Sequence, residues 1–200
     1  MSKSKIKHYD QAYFDRWYRG KNASNPQVLN RKVALAVAMT ELHLGRPIRS
    51  VLDIGCGEAP WRKALLKLRP TLHYQGVDAS EYVVRRFGRT RNIALASFGQ
   101  LQQLRIGPPA DLLVCADVMH YVPSAELKRG LGGFAELCAG VAYLDVFCRE
   151  DAITGDFKGF IARSAKQYRT LFTQAGFIAL GGHCYLSPQC DTPVSALERL

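Results

Sequence analysis

Apolar positions along this chain follow two alternating rhythms. Short runs rich in Val, Ile, Leu and Ala at 50–54, 72–77, 92–98, 111–116 and 141–147 predict strands, and they lack the polar alternation of a sheet with one wet face. Between and after them the spacing turns helical: at 60–68, at 81–87, at 125–138 with Ser124 as N-cap, and at 165–175, where Ser164 starts the helix and Gly176 ends it. Pro60 suits a first helical turn, where its missing N–H costs nothing. Such repeated alternation implies an α/β architecture: a doubly wound, mostly parallel sheet with helices on both faces. The late pieces "FIALGGHCYLS" and "TPVSALERL" predict two short antiparallel strands at one edge.

The first 45 residues read differently. In "HYDQAYFDRWYRG" Tyr9, Tyr13 and Trp17 are spaced four apart, as are Phe14 and Tyr18, which predicts an aromatic helix stopping at Gly20. A longer amphipathic helix follows in "NPQVLNRKVALAVAMTELHLG", with Val28, Leu29, Val33, Val37, Met39 and Leu42 on its apolar side and a stop at Gly45. No repeat or linker-like tract divides the chain, so 1–200 reads as one domain, with 1–45 as a helical N-terminal part and 46–200 as the α/β core.

Composition narrows the setting. The chain has 27 Lys and Arg against 17 Asp and Glu, a formal charge of +10, which raises the prior for anionic partners without choosing among them. Its basic groups, "KSKIK", "RKALLKLR" and "RRFGRTR", are scattered, and the reading as solvated faces is favoured over a binding patch. Six cysteines form no C-x-x-C pair and no zinc-like spacing, so a reduced, cytoplasmic setting and no metal site are expected. The polar start and the lack of a long uncharged apolar run argue against export and membrane insertion.

The chemistry gathers in "VLDIGCGEAP". A strand ending in Asp53 runs into Gly55-Cys56-Gly57 and then a helix start, the first βα turn, where open α/β sheets collect ligands. A dinucleotide fingerprint wants Gly or Ala at the sixth position from Gly55, where Pro60 stands, and Asp53 would face an anionic pyrophosphate. The carboxylate suits a ligand bearing an ammonium or sulfonium group, as S-adenosyl-L-methionine does.

"VLDIGCGEA" resembles the first motif of the class I S-adenosylmethionine-dependent methyltransferases, with Ala59 in place of the third glycine. The likeness extends through "GVDAS", "LASFGQL" and "ADLLVCADVMHYVP", and weakly to Leu186. It implies a Rossmann-like, seven-stranded sheet with an antiparallel edge hairpin. It also implies cofactor contacts from Asp53, Gly55, Cys56 and Gly57, from Asp78 to the ribose hydroxyls, and from Ala79 beside the adenine. Ser97 stands where the family commonly has an adenine-binding Asp, with Phe98 offering a stacking ring; Ala116 and Asp117 would lie near the methionyl part. His120 is the candidate general base, since it follows the fourth strand and histidine titrates near neutrality. Tyr13 and Trp17 are placed at the cofactor by an N-terminal helix that either packs on the domain or closes as a lid. His8, His43, His73 and His183 read as surface or packing residues. The chain lacks the Asn- or Asp-Pro-Pro-aromatic tetrapeptide and the Pro-Cys pair used on nucleic-acid bases, which favours a small-molecule acceptor. An RNA or protein acceptor, and a non-catalytic cofactor-binding scaffold, stay open beside it.

Overall fold

A computed structural model describes residues 9–19, 25–104, 106–152 and 156–192. In chain order the elements are α1 (Gln11–Trp17), α2 (Pro26–Leu44), β1 (Ser50–Ile54), α3 (Pro60–Leu68), β2 (His73–Asp78), α4 (Glu81–Arg91), β3 (Ile93–Leu95), β4 (Ala110–Ala116), α5 (Ser124–Leu137), β5 (Cys138–Asp145), α6 (Ala165–Gln174), β6 (Ile178–Gly181) and β7 (Cys184–Leu186). The seven strands lie in the order β3-β2-β1-β4-β5-β7-β6. β1 to β5 run parallel and β7 is antiparallel to both its neighbours. After β1 the chain winds outward to β3, then returns to place β4 on β1's other side. The carboxyl ends of β1 and β4 therefore flank the switch point, where a crevice opens.

Burial on both faces explains the runs without polar alternation. Val51, Leu112, Val141 and Tyr143 pack on the α2–α3–α4 face, while Leu52, Leu113, Ala142 and Leu144 pack on the α5–α6 face. In α2 the buried stripe is Val33, Ala36, Val37 and Thr40, whereas Val28 and Leu42 are exposed. The helical period sets that stripe, and positions 28 and 42 lie off it although their residues are apolar.

Two further expectations are corrected. Both edge strands form inside "FIALGGHCYLS", because Gly181, Gly182 and His183 all adopt positive φ and turn the chain between β6 and β7. The piece "TPVSALERL" lies almost wholly outside the described residues. Ser124 does not cap α5: Pro123 takes the N-cap, and the Ser124 hydroxyl accepts a hydrogen bond from Arg163 at 3.0 Å. Ser164 caps α6 as expected, with Gln167 closing the capping box.

Candidate active site

The turn after β1 alternates left-handed residues, with φ of +66° at Gly55, +52° at Gly57 and +57° at Ala59. A Cβ on Gly55 would lie 2.4 Å from Val118, and one on Gly57 2.1 Å from the Tyr18 hydroxyl. Ala59 takes the third such position at a cost of about 1 kcal/mol, which a glycine would not incur. Ala59→Gly is expected to change the unfolding free energy by less than about 0.5 kcal/mol in urea titrations, since lost methyl burial and added chain entropy offset the relief of backbone strain.

The turn's donors are consumed internally. Gly55 and Cys56 N–H both donate to the Val77 carbonyl, at 2.7 and 3.1 Å, and Ala59 N–H donates to Cys56 O at 2.8 Å. Gly57 N–H donates to Asp78 Oδ2 at 2.7 Å. A phosphate needs such N–H groups free, so the turn with its neighbouring carboxylates favours a cation instead.

Asp53 is 3% exposed and accepts a hydrogen bond from the Tyr74 hydroxyl at 2.7 Å. Burial pushes its carboxyl up to about 7, against the pull of Tyr74 and with a smaller push from Asp78. Tyr74 escaped the sequence reading, yet register could have found it: Asp53 pairs with Gly76, and Tyr74 precedes that glycine by two on the same face. Asp78 also accepts from Ser80 N–H at 2.8 Å. Burial raises its carboxyl, against the pull of the backbone N–H groups of Ser80, Gly57 and Ala79.

Residues 52–140, from β1 into the start of β5, match the family described as a methyltransferase domain. The fold is that of solved S-adenosylmethionine-dependent methyltransferases. A SAM-dependent methyltransferase from Archaeoglobus fulgidus superposes with a TM-score of 0.62 at 12% identity, covering 83% of this chain and 73% of that one. Magnesium protoporphyrin IX methyltransferase from Synechocystis PCC 6803, solved with bound SAH, gives 0.61 at 20%, over 87% and 89%. A sugar N-methyltransferase from Streptoalloteichus sp gives 0.54 at 19%, over 78% and 63%. Comparison with curated proteins gives no match.

The fold brings Asp53, Gly55, Gly57, Asp78, Ala116 and Asp117 to the carboxyl edge of adjacent strands. Asp117 adopts φ +60° and is solvent-exposed at the lip, with Ala116 before it half-buried. Ala79 is exposed beside Asp78, and Ser97 starts a short 3₁₀ helix at Phe98–Gln100. Cys56 contributes backbone alone, since its thiol is buried against Gly76 and burial pushes its pKa far up.

Three side chains depart from expectation. Phe98 is buried against Phe134, ring centroids 5.6 Å apart, in space that Gly130 leaves by lacking a Cβ; it does not face an adenine slot. Trp17 is half-buried, and among the described residues no ring contact ties it to the crevice; Tyr18, one residue on, fills the space over Gly57. His120 is 1% exposed, boxed by Tyr121, Phe147 and Phe160 at 4.2, 5.4 and 5.6 Å, so the expected base has no open path to an acceptor in this form.

The aromatic helix packs over the Gly55–Gly57 turn and the start of α4. Phe14 is buried against Tyr82 and Tyr18, the Ser80 hydroxyl donates to Tyr9 O at 2.6 Å, and Arg19 pairs with Glu58 at 3.0 Å. Tyr13 lies close enough to Tyr121, Tyr9, Asp156 and Asp78 for their charges to add to the effect of burial in raising its phenol. Among the described residues no helix is long and apolar enough to cross a membrane, and no three His, Cys, Asp or Glu side chains gather as a metal site.

Proposed function

We propose that this chain is an S-adenosylmethionine-dependent methyltransferase that acts on a small-molecule acceptor, taken up at the mouth between α1, Tyr121 and residues 156–163. The observation that carries this reading is the character of that mouth. Tyr9, Tyr13 and Tyr121 stand over it, and the carboxylates at its rim are Asp117, Asp145 and Asp156. A polyanion such as RNA would meet these carboxylates rather than a continuous basic track. Named neighbours that act on a porphyrin and on a sugar amine support the same class.

S-adenosylmethionine supplies a methyl carbon already activated by its sulfonium. The chain's part is to hold and to align. In this proposal Asp78 binds the ribose hydroxyls, the Gly55–Gly57 turn and Asp53 accommodate the cationic methionyl end, and Ala79 and Ser97 border the adenine. Tyr13 and Tyr18, on or next to α1, shield the site from water. Alignment and exclusion of water are the larger part of such a displacement.

Calorimetric titration with S-adenosylmethionine and S-adenosylhomocysteine, alongside a labelled-methyl assay on a panel of amines, sugar amines and phenols, tests this. Asp78→Ala is expected to weaken cofactor binding by about 30–100-fold, the equivalent of two charge-assisted hydrogen bonds with partial compensation. Unchanged affinity in that variant would sink the site assignment. Methylation of RNA with steep salt dependence, and none of the panel, would replace the small acceptor with a polyanion.

A further inference from the structure

One polar cluster on the acceptor side is not used by the cofactor site. Asp145 ends β5, in register with Ala116 at the end of β4, and its carbonyl accepts the Asp117 N–H at 2.9 Å. Its carboxylate is one-tenth exposed and bridges two elements far apart in sequence: Lys32 Nζ of α2 lies 2.5 Å from Oδ2, and His183 Nδ1 of the β6–β7 turn lies 3.8 Å from Oδ1. Backbone pairing fixes the turn, with Leu144 N–H donating to His183 O at 2.8 Å, and Gly182 backs onto Leu35 of α2. The His183 ring sits beside Tyr143, centroids 5.8 Å apart, with about half of the side chain open to solvent.

We propose that His183, oriented by Asp145, takes the proton from an N–H or O–H methyl acceptor bound beside Asp117. The inference rests on the small-acceptor reading above. Its geometry is that of a base held by a third group: Nδ1 faces the carboxylate, which leaves Nε2 for the acceptor. A separation of 3.8 Å exceeds hydrogen-bond length, but such contacts tighten once substrate is bound. The acceptor's X–H bond gives its proton to Nε2 and its electron pair to X, which forms the bond to the methyl carbon. The carbon–sulfur pair returns to sulfur, so the products are methylated acceptor, neutral thioether and imidazolium.

The groups facing the imidazole come from three other elements. Asp145 on β5 turns Oδ1 toward the ring, and Lys32 on α2 holds the other carboxylate oxygen. Tyr143 offers a ring face to the imidazole while its phenol hydrogen-bonds Asp145, and Asp117 beyond β4 is near enough to feel Asp145, Lys32 and His183. Sealed His120 has no comparable route to the mouth.

NMR of the histidine ring nitrogens in the full chain, without any acceptor, tests the dyad. Wild-type His183 is expected to carry a proton on the Nδ1 that faces Asp145, and Asp145→Asn is expected to move its ring-nitrogen resonances. Unchanged resonances would overturn the pairing. For whichever panel acceptor the wild type methylates, His183→Asn, which keeps a residue tolerant of left-handed φ, is expected to lower kcat by about 100-fold or more and to abolish the acid limb of its pH profile. The KM for S-adenosylmethionine should stay within about twofold. An unaltered kcat and profile overturn the role of His183. No turnover of any acceptor by the wild type would count against the small-acceptor reading instead, and the NMR comparison would still decide the dyad.

Discussion

Replacing Arg163 by alanine is expected to lower the unfolding free energy by about 3–5 kcal/mol, and the melting temperature by roughly 10 °C, in urea and thermal titrations of the free protein. The guanidinium is 5% exposed and donates to four uncharged oxygens: Met119 O at 3.2 Å, Val122 O at 2.6 Å, Ser124 Oγ at 3.0 Å and Tyr168 Oη at 3.3 Å. Among the described residues no carboxylate pairs with it. The cation is therefore held by convergent dipoles, and those dipoles come from the loop after β4, the start of α5 and α6. Removing it strands the carbonyls of Met119 and Val122 in the interior, at about 1–3 kcal/mol each, and opens a void between two helices. Arg163→Lys should recover less than half of the loss, since one ammonium cannot reach the positions a planar fork serves. The loop so fixed carries His120 and Tyr121, whose backbone is also pinned by the Ile161 N–H to His120 O bond at 2.8 Å. A loss below about 1 kcal/mol would show that the loop holds itself.

What could be read beforehand divides along a physical line. β1 and α3 stand at the expected residues because strand pattern, glycine turn and Pro60 all act locally and agree. The parallel sheet followed from runs buried on both faces. The edge hairpin was displaced because Gly181, Gly182 and His183 break what reads as one continuous strand. Side-chain direction was the harder part. Phe98 and His120 stand at positions where the family motifs place ligand contacts, yet each finds more apolar partners inward, and burial of a ring outweighs motif position. Tyr74 on Asp53 needed strand register, which an explicit pairing of β1 with β2 supplies. The meeting of Lys32, Asp145 and His183 needs the relative placement of α2, β5 and the last hairpin, and no local signal in the sequence carries it. From local pattern alone His183 reads as a surface or packing residue.

Asp53→Asn should separate stability from cofactor binding. The Asp53 carboxyl titrates at about 7 in the folded protein, against about 4 for an unburied aspartate. Below about pH 4 both folded and unfolded chains are protonated at this position, and the residue contributes nothing to the pH dependence. As pH rises from about 4 to 7 the unfolded chain releases its proton while the folded one retains it, so the unfolded state binds fewer protons and stability falls. Above about 7 both are ionised and the loss is complete, on the order of 4 kcal/mol as an upper bound. Asparagine keeps the acceptor for the Tyr74 hydroxyl but removes the charge. The variant should match the wild type near pH 4 and exceed it by a few kcal/mol at pH 8, as read from denaturant midpoints at both pH values. Its affinity for S-adenosylmethionine should fall by about 10–100-fold, because the carboxylate opposite the ligand's cationic end is gone. In the wild type that affinity should rise with pH up to about 7, since an ionised Asp53 is the form that binds. A variant no more stable at pH 8 would mean that neighbouring dipoles already offset the buried charge. One that is more stable and binds as well as the wild type would remove Asp53 from the cofactor site. The expected pairing of higher stability with weaker binding is the signature of a charge kept in the core for its ligand.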